Sequence, residues 1–297
     1  MKLTFSLTIL AVASIFSSMS ARALSLYAAC GAHDDEAVVF QDTSNSTIAS
    51  CGIAGEAEFF TLPYNYAVKS RVDAARGTLH MYTGTSGTNS FINYSVQSIT
   101  SVSENIVINE AWTGGLELEL TLTGETGPKF FFNNSLDPIE SNNQPAPSAE
   151  YTVHMEISAT GFNFSDTRYY EYITDQWLLR GSESGNMSGG ASGSSHLTGA
   201  FSLKTILPDS LVGETINLLW STELRQASEG YIDGYGTGDI DLALPSGFSY
   251  TPDSATFLSQ KASGIGGVPS PGALVLVVLG LVAMGLSHRK SRRNLSQ

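Results

Sequence analysis

Basic residues are scarce in this 297-residue sequence, which contains 15 Lys and Arg against 28 Asp and Glu. All 28 acidic residues lie between Leu24 and Val268, whereas six basic residues lie nearer the ends, at Lys2, Arg22, Arg289, Lys290, Arg292 and Arg293. The central region therefore has nine basic and 28 acidic residues, a formal net charge of −19. Such a domain repels nucleic acid and anionic membranes, so both are excluded as partners.

The first 23 residues have the composition of a secretory signal peptide. Lys2 is a short positive region, Leu3 to Phe16 is an apolar run, and Ala21-Arg22-Ala23 fits a cleavage site. This order of features is typical of a signal peptide, and a buried N-terminal helix is the alternative. We predict that residues 1–23 are removed and that the mature chain begins near Leu24.

Cysteine and known catalytic motifs are also sparse. The two cysteines, Cys30 and Cys51, follow the predicted signal peptide, so an oxidising compartment favours a disulfide over two free thiols. The closed loop of about 20 residues would contribute roughly 3 kcal/mol in the chain-entropy model. No nucleophile elbow, zinc-protease, phosphate-loop or EF-hand motif is present, so no catalytic residue is predicted.

Alternation of apolar and polar residues dominates the region 24–260. Leu116, Leu118, Leu120 and Leu122 share one strand face, and the same period recurs at Tyr151, Val153, Met155 and Ile157 and at Ile240, Leu242 and Leu244. Further strand candidates begin at Ala37, Tyr66, Thr78, Phe91, Asn105, Arg168, Leu197 and Thr215. Many short strands separated by turn residues, with no helical stripe, predict an all-β fold, an antiparallel β-sandwich or jelly-roll-like domain.

Two segments within this region are poor in apolar residues. Residues 133–150 are polar and rich in Pro, and residues 181–199 consist mainly of Gly and Ser. Both compositions predict mobile surface loops on one sandwich, although either loop would also fit a boundary between two sub-domains. Residues 261–267, KASGIGG, predict a flexible linker to the C-terminal tail.

The tail, residues 268–297, contains an uncharged apolar stretch from Gly272 to Leu286 followed by a basic cluster. As a helix these residues would span about 22 Å, short of the roughly 30 Å hydrocarbon core. Snorkelling basic side chains make up the difference and keep the basic end in the cytoplasm. We therefore predict a single transmembrane helix that tethers the exported domain to the membrane.

Residues Val268-Pro269-Ser270-Pro271, the apolar run and the basic HRKSRR end together resemble a PEP-CTERM sorting tail. Ser270 stands where the usual motif has Glu, and the resemblance covers only the tail. It implies processing by an exosortase in a Gram-negative bacterium that produces exopolysaccharide. It also implies an inner-membrane-tethered intermediate, followed by release to the cell surface or extracellular matrix. It assigns no activity, because members of the family share the tail and not the chemistry.

Acidic residues supply the candidate metal sites. Asp233, Asp239 and Asp241 lie in the Gly-rich segment DGYGTGDID, and clustered oxygen ligands of this kind suit Ca²⁺, the one cofactor predicted. A hairpin with outward Asp side chains is the alternative reading. The HDDE segment, residues 33–36, is a second cation candidate that also fits a solvated turn.

Aromatic residues supply the candidate ligand site. Tyr170, Tyr172 and Trp177 lie in the segment RYYEYITDQW, and their rings would form a platform on which sugars stack. The alternative is that these rings belong to the core. Glu117 and Glu119 share a strand face and would suit a glycosidase, but with 28 acidic residues such pairs arise by chance.

The leading hypothesis is a secreted, non-enzymatic protein of the cell surface or biofilm matrix. Its mechanism would be adhesion or binding of extracellular polysaccharide through loops and aromatic residues, with Ca²⁺ as a bridging ion. Two alternatives are a secreted polysaccharide-active hydrolase and a structural matrix protein without a specific ligand. Glycan binding without turnover would distinguish the first from the second.

Overall fold

The computed structural model describes residues 24–32, 47–59, 62–87, 96–129, 149–173, 176–190, 197–226 and 230–261. Within these ranges the chain forms only β-strands and one short 3₁₀ helix, Asp209–Leu211. The strands are β1 Leu24–Ala32, β2 Ile48–Phe59, β3 Leu62–Asp73, β4 Thr78–Gly87, β5 Val96–Ile108, β6 Leu116–Lys129, β7 Ala149–Ala159, β8 Phe162–Ile173, β9 Gln176–Ser182, β10 Met187–Gly189, β11 Leu197–Leu207, β12 Ile216–Gln226, β13 Gly230–Ala243 and β14 Tyr250–Pro252. The predicted all-β fold is confirmed.

The strands form two seven-stranded sheets in which every pair is antiparallel. The first sheet has the order β1-β5-β12-β7-β8-β9, with β14 pairing beside β1 on the same side of β5. The second sheet has the order β10-β11-β6-β13-β4-β3-β2. Side chains of both sheets meet in one buried cluster, so the arrangement is sandwich-like.

The core follows the alternation read from the sequence. Leu116 and Leu118 of β6 are buried, whereas Glu117 between them is exposed. Val153 and Met155 of β7 are likewise buried and face the core from the other sheet. Each fully buried Leu, Val or Met side chain contributes roughly 1.5–3 kcal/mol relative to an exposed one.

Strand β5 differs from the prediction of two separate strands beginning at Phe91 and Asn105. It is one strand of 13 residues that pairs with β12 from Val96 to Ile106 without a break. Ser101 and Ser103, which fall between the two predicted strands, lie within the strand and pair with Tyr27 and Leu219. The candidate strand beginning at Ala37 lies outside the described residues.

A disulfide joins the two sheets at one edge. Cys30 of β1 and Cys51 of β2 are bonded, with their Cα atoms 6.0 Å apart, as the sequence predicted. Because β1 is the edge strand of the first sheet and β2 that of the second, the bond connects two sheet edges. Cys30 is completely buried and packs in a small apolar cluster with Val68 and Val96.

Hydrogen bonds join the sheets at the opposite edge. Asp166 of β8 accepts the N–H of Met187 in β10 at 2.6 Å, and the Arg168 guanidinium donates to the carbonyl of the same residue. Arg168 also donates to the Gly189 carbonyl at 2.6 Å. Two side chains of the first sheet thus bind both backbone groups of Met187, much as a neighbouring strand would.

The prediction of a mobile loop at residues 181–199 is wrong for its described part. Met187 is buried, and Gly189 lies so close to β11 that a Cβ there would stand 1.7 Å from the Ala200 carbonyl oxygen. At Gly190 a Cβ would stand 2.2 Å from the Tyr170 hydroxyl oxygen, with φ at +76°. These glycines allow the backbone to pack closely against its neighbours. From composition alone, the same glycines predict flexibility. Residues 133–148 lie outside the described ranges.

Residues 253–261, which we call the strap, cross one end of the sandwich. Strand β14 continues the line of β1 along β5, so that Pro252 pairs with Ile106 and Leu24 pairs with Glu104. The strap then reaches the second sheet, where the Leu258 N–H donates to the Ala74 carbonyl at 2.8 Å. The first described residue of the domain and the strap therefore lie at the same end of the sandwich.

No helix within the described ranges is long and apolar enough to cross a membrane. The predicted signal peptide, residues 1–23, and the predicted tail, residues 268–297, both lie outside those ranges. The sorting-motif residues Val268, Pro269, Ser270 and Pro271 lie there as well, so those predictions stay predictions.

Candidate functional site

The predicted aromatic platform is not at the surface. Tyr170 and Tyr172 are 2% and 4% exposed, and Trp177 is completely buried. The Tyr172 and Trp177 rings meet edge to face with centroids 5.3 Å apart, and Tyr170 packs in the same way on Phe201 of the second sheet. The rings point inward because they occupy the alternate positions that face the core. The prediction of a sugar-binding site at these three residues is therefore wrong.

Two of the three predicted Ca²⁺ ligands, Asp239 and Asp241, lie on the outer face of β13. Asp239 and Asp241 are exposed, and Asp241 lies 3.9 Å from the Lys261 ammonium group. The register of β13 shifts between Asp233 and Asp239, and the side chain of Asp233 lies outside the description. Among the described residues no three His, Cys, Asp or Glu side chains form a metal-binding group. The Ca²⁺ prediction, including its second candidate at residues 33–36, stays a prediction.

The acid pair Glu117 and Glu119 is engaged by neighbouring side chains of β11. Glu117 lies 2.6 Å from the Lys204 ammonium group, and Glu119 accepts a hydrogen bond from the Ser202 hydroxyl. Both contacts lie on the outer face of the second sheet. The arrangement is that of cross-strand polar pairs on a solvated face.

A connected polar network lies on the outer face of the first sheet. The Thr167 hydroxyl donates to Glu183 at 2.9 Å and accepts from His154 Nδ1 at 2.8 Å. Glu183 also accepts from the Tyr169 hydroxyl at 2.7 Å. Hydrogen bonding by His154 lowers the pKa of Glu156, the carboxylate 3.7 Å from Nε2. Thr167 is 2% exposed and its hydroxyl is bound on both sides, so the network ties β7 and β8 to the segment that follows β9.

The second sheet carries an aromatic pair on its outer face. Tyr82 of β4 and Tyr231 of β13 point outward, because their neighbours Met81 and Ile232 are buried in the core. Their ring centroids are 6.1 Å apart and their planes differ by 22°. Both residues are partly exposed. The two rings are therefore nearly parallel and stacked beside each other on the outer face of the sheet.

Small residues adjoin this pair. Tyr231 pairs with Gly84, Gly84 with Ala67 of β3, and Ala67 with Ala54 of β2. A Cβ at residue 84 would stand 2.9 Å from the Tyr82 hydroxyl oxygen, so this glycine allows the Tyr82 ring to lie against the sheet. Gly84, Ala67 and Ala54 therefore form a row of small residues across three strands beside the two rings.

A lysine completes the surface. Lys69 of β3 pairs directly with Tyr82, and its Nζ lies 5.7 Å from the centroid of that ring. A cation at this distance is attracted to the aromatic face by about 0.5–1 kcal/mol at an exposed site. We call Lys69, Tyr82, Gly84 and Tyr231 the tyrosine surface.

The sequence contained part of the signal for this surface. In HMYTG the buried Met81 places Tyr82 outward, and in GYID the buried Ile232 does the same for Tyr231. What the sequence lacked was the pairing of β4 with β13, which are far apart along the chain. The densest aromatic segment, which the sequence indicated as the ligand site, belongs to the core instead.

No protein-family model, no curated protein and no solved structure matches this chain.

Proposed function

We propose that this protein is exported and acts at the cell surface or in the extracellular matrix as a non-enzymatic, glycan-binding β-sandwich domain. The observation that carries the proposal is the outward-facing pair Tyr82 and Tyr231, 6.1 Å apart and nearly parallel. Flat aromatic rings match the apolar faces of pyranose sugars, while the hydroxyl groups at their edges bind polar groups. The adjoining row of small residues leaves room for a chain of sugars.

The position of the tyrosine surface supports display away from a tether. Strand β4 begins at Thr78, beside the turn that binds the strap, and runs towards the opposite end of the sandwich. Tyr82 and Gly84 lie past the first third of this strand, and Tyr231 lies at the start of β13, at the far end. A domain held through the residues after 261 would therefore present the surface on the half remote from the strap.

Two other functions compete with this proposal. A hydrolase would need a carboxylate pair that a substrate reaches, and the pair Glu117–Glu119 is bound to neighbouring side chains. A matrix protein without a ligand would leave the aromatic pair without a role. The aromatic pair favours glycan binding.

The test is affinity electrophoresis of the purified protein through gels containing neutral and acidic polysaccharides. We expect retardation in at least one gel, its loss in Tyr82→Ala and Tyr231→Ala, and no release of reducing sugar. Tyr169→Ala, which removes an outward tyrosine from the other sheet, is the matched control. Release of reducing sugar would favour the hydrolase, and retardation unchanged in both tyrosine variants would contradict the proposed site.

The proposed destination has its own test. The resemblance of residues 268–297 to a sorting tail supports processing by an exosortase and release from the inner membrane. We expect protein recovered outside the cell to lack residues 272–297, which the intact mass measures. Recovery of the complete C-terminus in that fraction would favour a permanent anchor.

A further inference from the structure

Among the basic side chains that the structure describes, Lys69 alone has no carboxylate or carbonyl oxygen as a partner. Each of the others contacts a protein carboxylate or carbonyl oxygen: Arg71, Arg76, Arg168, Arg180, Lys204, Arg225 and Lys261. Lys69 is exposed, and its one contact is with the ring of Tyr82. In this region the 28 acidic residues outnumber the nine basic residues roughly threefold, so a basic side chain without a carboxylate partner is unexpected.

The charges near Lys69 leave its ammonium group available. Arg71, the next outward residue of β3, lies 3.9 Å from Asp73, which also lies 3.9 Å from Arg76. The nearby acid Asp73 is thus shared by two arginines. On the other side of Tyr82, the paired residue of β13 is Asp233. Among the described side chains, the tyrosine surface therefore has its cationic side at β3.

We propose that the tyrosine surface binds an acidic glycan, with a uronate carboxylate on Lys69 and the adjoining sugar ring on Tyr82. This inference rests on the proposed glycan-binding function and names its ligand class. The ammonium group lies 5.7 Å from the centroid of the Tyr82 ring on a directly paired residue, a spacing that suits a sugar that carries its carboxylate on the ring. An ammonium group that contacts an aromatic ring and no carboxylate has no ion pair to break before it binds.

The proposed glycan has widely spaced negative charges. A dense polyanion such as nucleic acid needs many cationic contacts, and the described part of the tyrosine surface supplies one. The net charge of −19 between Leu24 and Val268 adds long-range repulsion against every additional anionic group. Xanthan and hyaluronan, whose uronates alternate with or are separated by neutral sugars, meet this requirement better than polygalacturonate, in which every sugar is charged.

The experiment compares each polysaccharide with its carboxyl-reduced form, which has the same backbone without the charge. Affinity electrophoresis of the full protein is run in gels of xanthan and hyaluronan, native and reduced, at low and at moderate salt. We expect the native forms to bind about threefold more tightly than the reduced forms, as for one exposed ion pair, with the preference weaker in salt. Lys69→Gln should abolish the preference and Lys69→Arg should retain it.

The control is Lys204→Gln, because Lys204 is exposed on the outer face of the same sheet but is paired with Glu117. It should leave the preference intact. Equal binding of native and reduced forms, with loss in Tyr82→Ala, would overturn the acidic ligand and leave the glycan-binding function standing. No binding of any form would overturn both. Thermal unfolding of each variant identifies any that fails to fold.

Discussion

Asp166 and Glu104 are both buried carboxylates of this domain, and their pKa values are shifted in opposite directions. Asp166 lies at the edge where β8 meets β10, with its pKa lowered from 3.8 to about 2. Glu104 lies under the strap, with its pKa raised from 4.5 to about 7. Both side chains come from inward-facing strand positions of the first sheet, and each binds a segment that crosses to the second sheet.

The difference comes from the donors and charges around each group. Burial raises the pKa of Asp166, but the N–H groups of Met187, Ser184 and Thr167 and the hydroxyl of Ser182 outweigh burial. Burial also raises the pKa of Glu104, which lies between Val102 and Ile106 on the core face of β5.

Glu104 has fewer compensating contacts. It accepts bonds from the hydroxyl and N–H of Ser254 and from the N–H of Asn105, and the negative charge of Asp253 opposes its ionisation. Hydrogen-bond donors, more than burial, thus decide which of the two carboxylates is held as an anion.

The largest effect is expected from Asp166→Ala. The substitution leaves the buried N–H of Met187 and the N–H of Ser184 without their acceptor, and it removes bonds to a charged group. We expect the free energy of unfolding to fall by about 4 kcal/mol, measured by urea denaturation at pH 7.

Limited proteolysis should show early cleavage within residues 183–190, because the segment loses its anchor. Ser184→Ala, which removes a hydroxyl from the same segment and leaves the carboxylate in place, is the control. A loss below about 1 kcal/mol for Asp166→Ala would show that Arg168 and Tyr170 hold the edge without it.

The next effect is the pH dependence due to Glu104. Because its folded pKa lies above the unfolded value of 4.5, the folded state gains stability in acid that is lost as the pH rises through 7. We expect this group to remove at most about 3 kcal/mol between pH 4.5 and pH 8. Unfolding free energies across that range measure it.

Glu104→Gln should remove that slope, because the amide does not ionise. Glu110→Gln is the comparison, since Glu110 also accepts the N–H and hydroxyl of one serine, Ser249, from a less buried position. An unchanged slope in Glu104→Gln would refute the assignment of the pH dependence to the strap.

A smaller effect should appear in acid at Asp166. Its folded pKa lies below the unfolded value of 3.8, so its contribution is complete above pH 3.8 and is lost as the pH falls through 2. The contribution is about 2 kcal/mol. Comparison of the wild type with Asp166→Asn from pH 1.5 to pH 6 should show a gap that is constant above pH 4 and closes near pH 2. A gap that closes near pH 4 would mean that the pKa of Asp166 in the folded state is close to its unfolded value of 3.8.

The smallest effect is expected from Asp209→Ala. Asp209 is an exposed carboxylate that accepts the N–H groups of Gly114 and Gly115 at 3.3 and 3.1 Å, at a turn where both glycines have positive φ. Water replaces the lost acceptor, so we expect a loss of about 1 kcal/mol in urea denaturation. A loss as large as that of Asp166→Ala would show that burial of the carboxylate is irrelevant.

The sequence was informative about strand faces and uninformative about contacts between sheets. Leu118 and Met155 could be assigned to the core because period two is a local property of the chain. Cys30 and Cys51 could be paired because there was one possible partner for each. The two-residue alternation also placed Tyr170 and Tyr172 on one face, but it did not say which face was core.

The prediction of a mobile loop beginning at Gly181 was wrong for a different reason. Its Gly and Ser residues predict mobility only if nothing binds their backbone. Asp166 and Arg168 bind it, and they belong to a strand that precedes it by about 20 residues. The tyrosine surface was missed in the same way, because Lys69, Tyr82 and Tyr231 come from three strands whose pairing is not a local property.

The strap also determines how the domain responds to tension on the chain beyond Lys261. A pull there first loads the bond from the Lys261 ammonium group to the Ile240 carbonyl, then the bond from the Gln260 N–H to the Ala75 carbonyl and then the bond from Leu258 to Ala74. These bonds are strained one after another, so the segment peels instead of shearing. Peeling continues until Phe257, whose ring packs on Trp220 at 5.9 Å, must leave the core. We therefore expect tension on the chain beyond Lys261 to detach the strap before it separates the strands of either sheet.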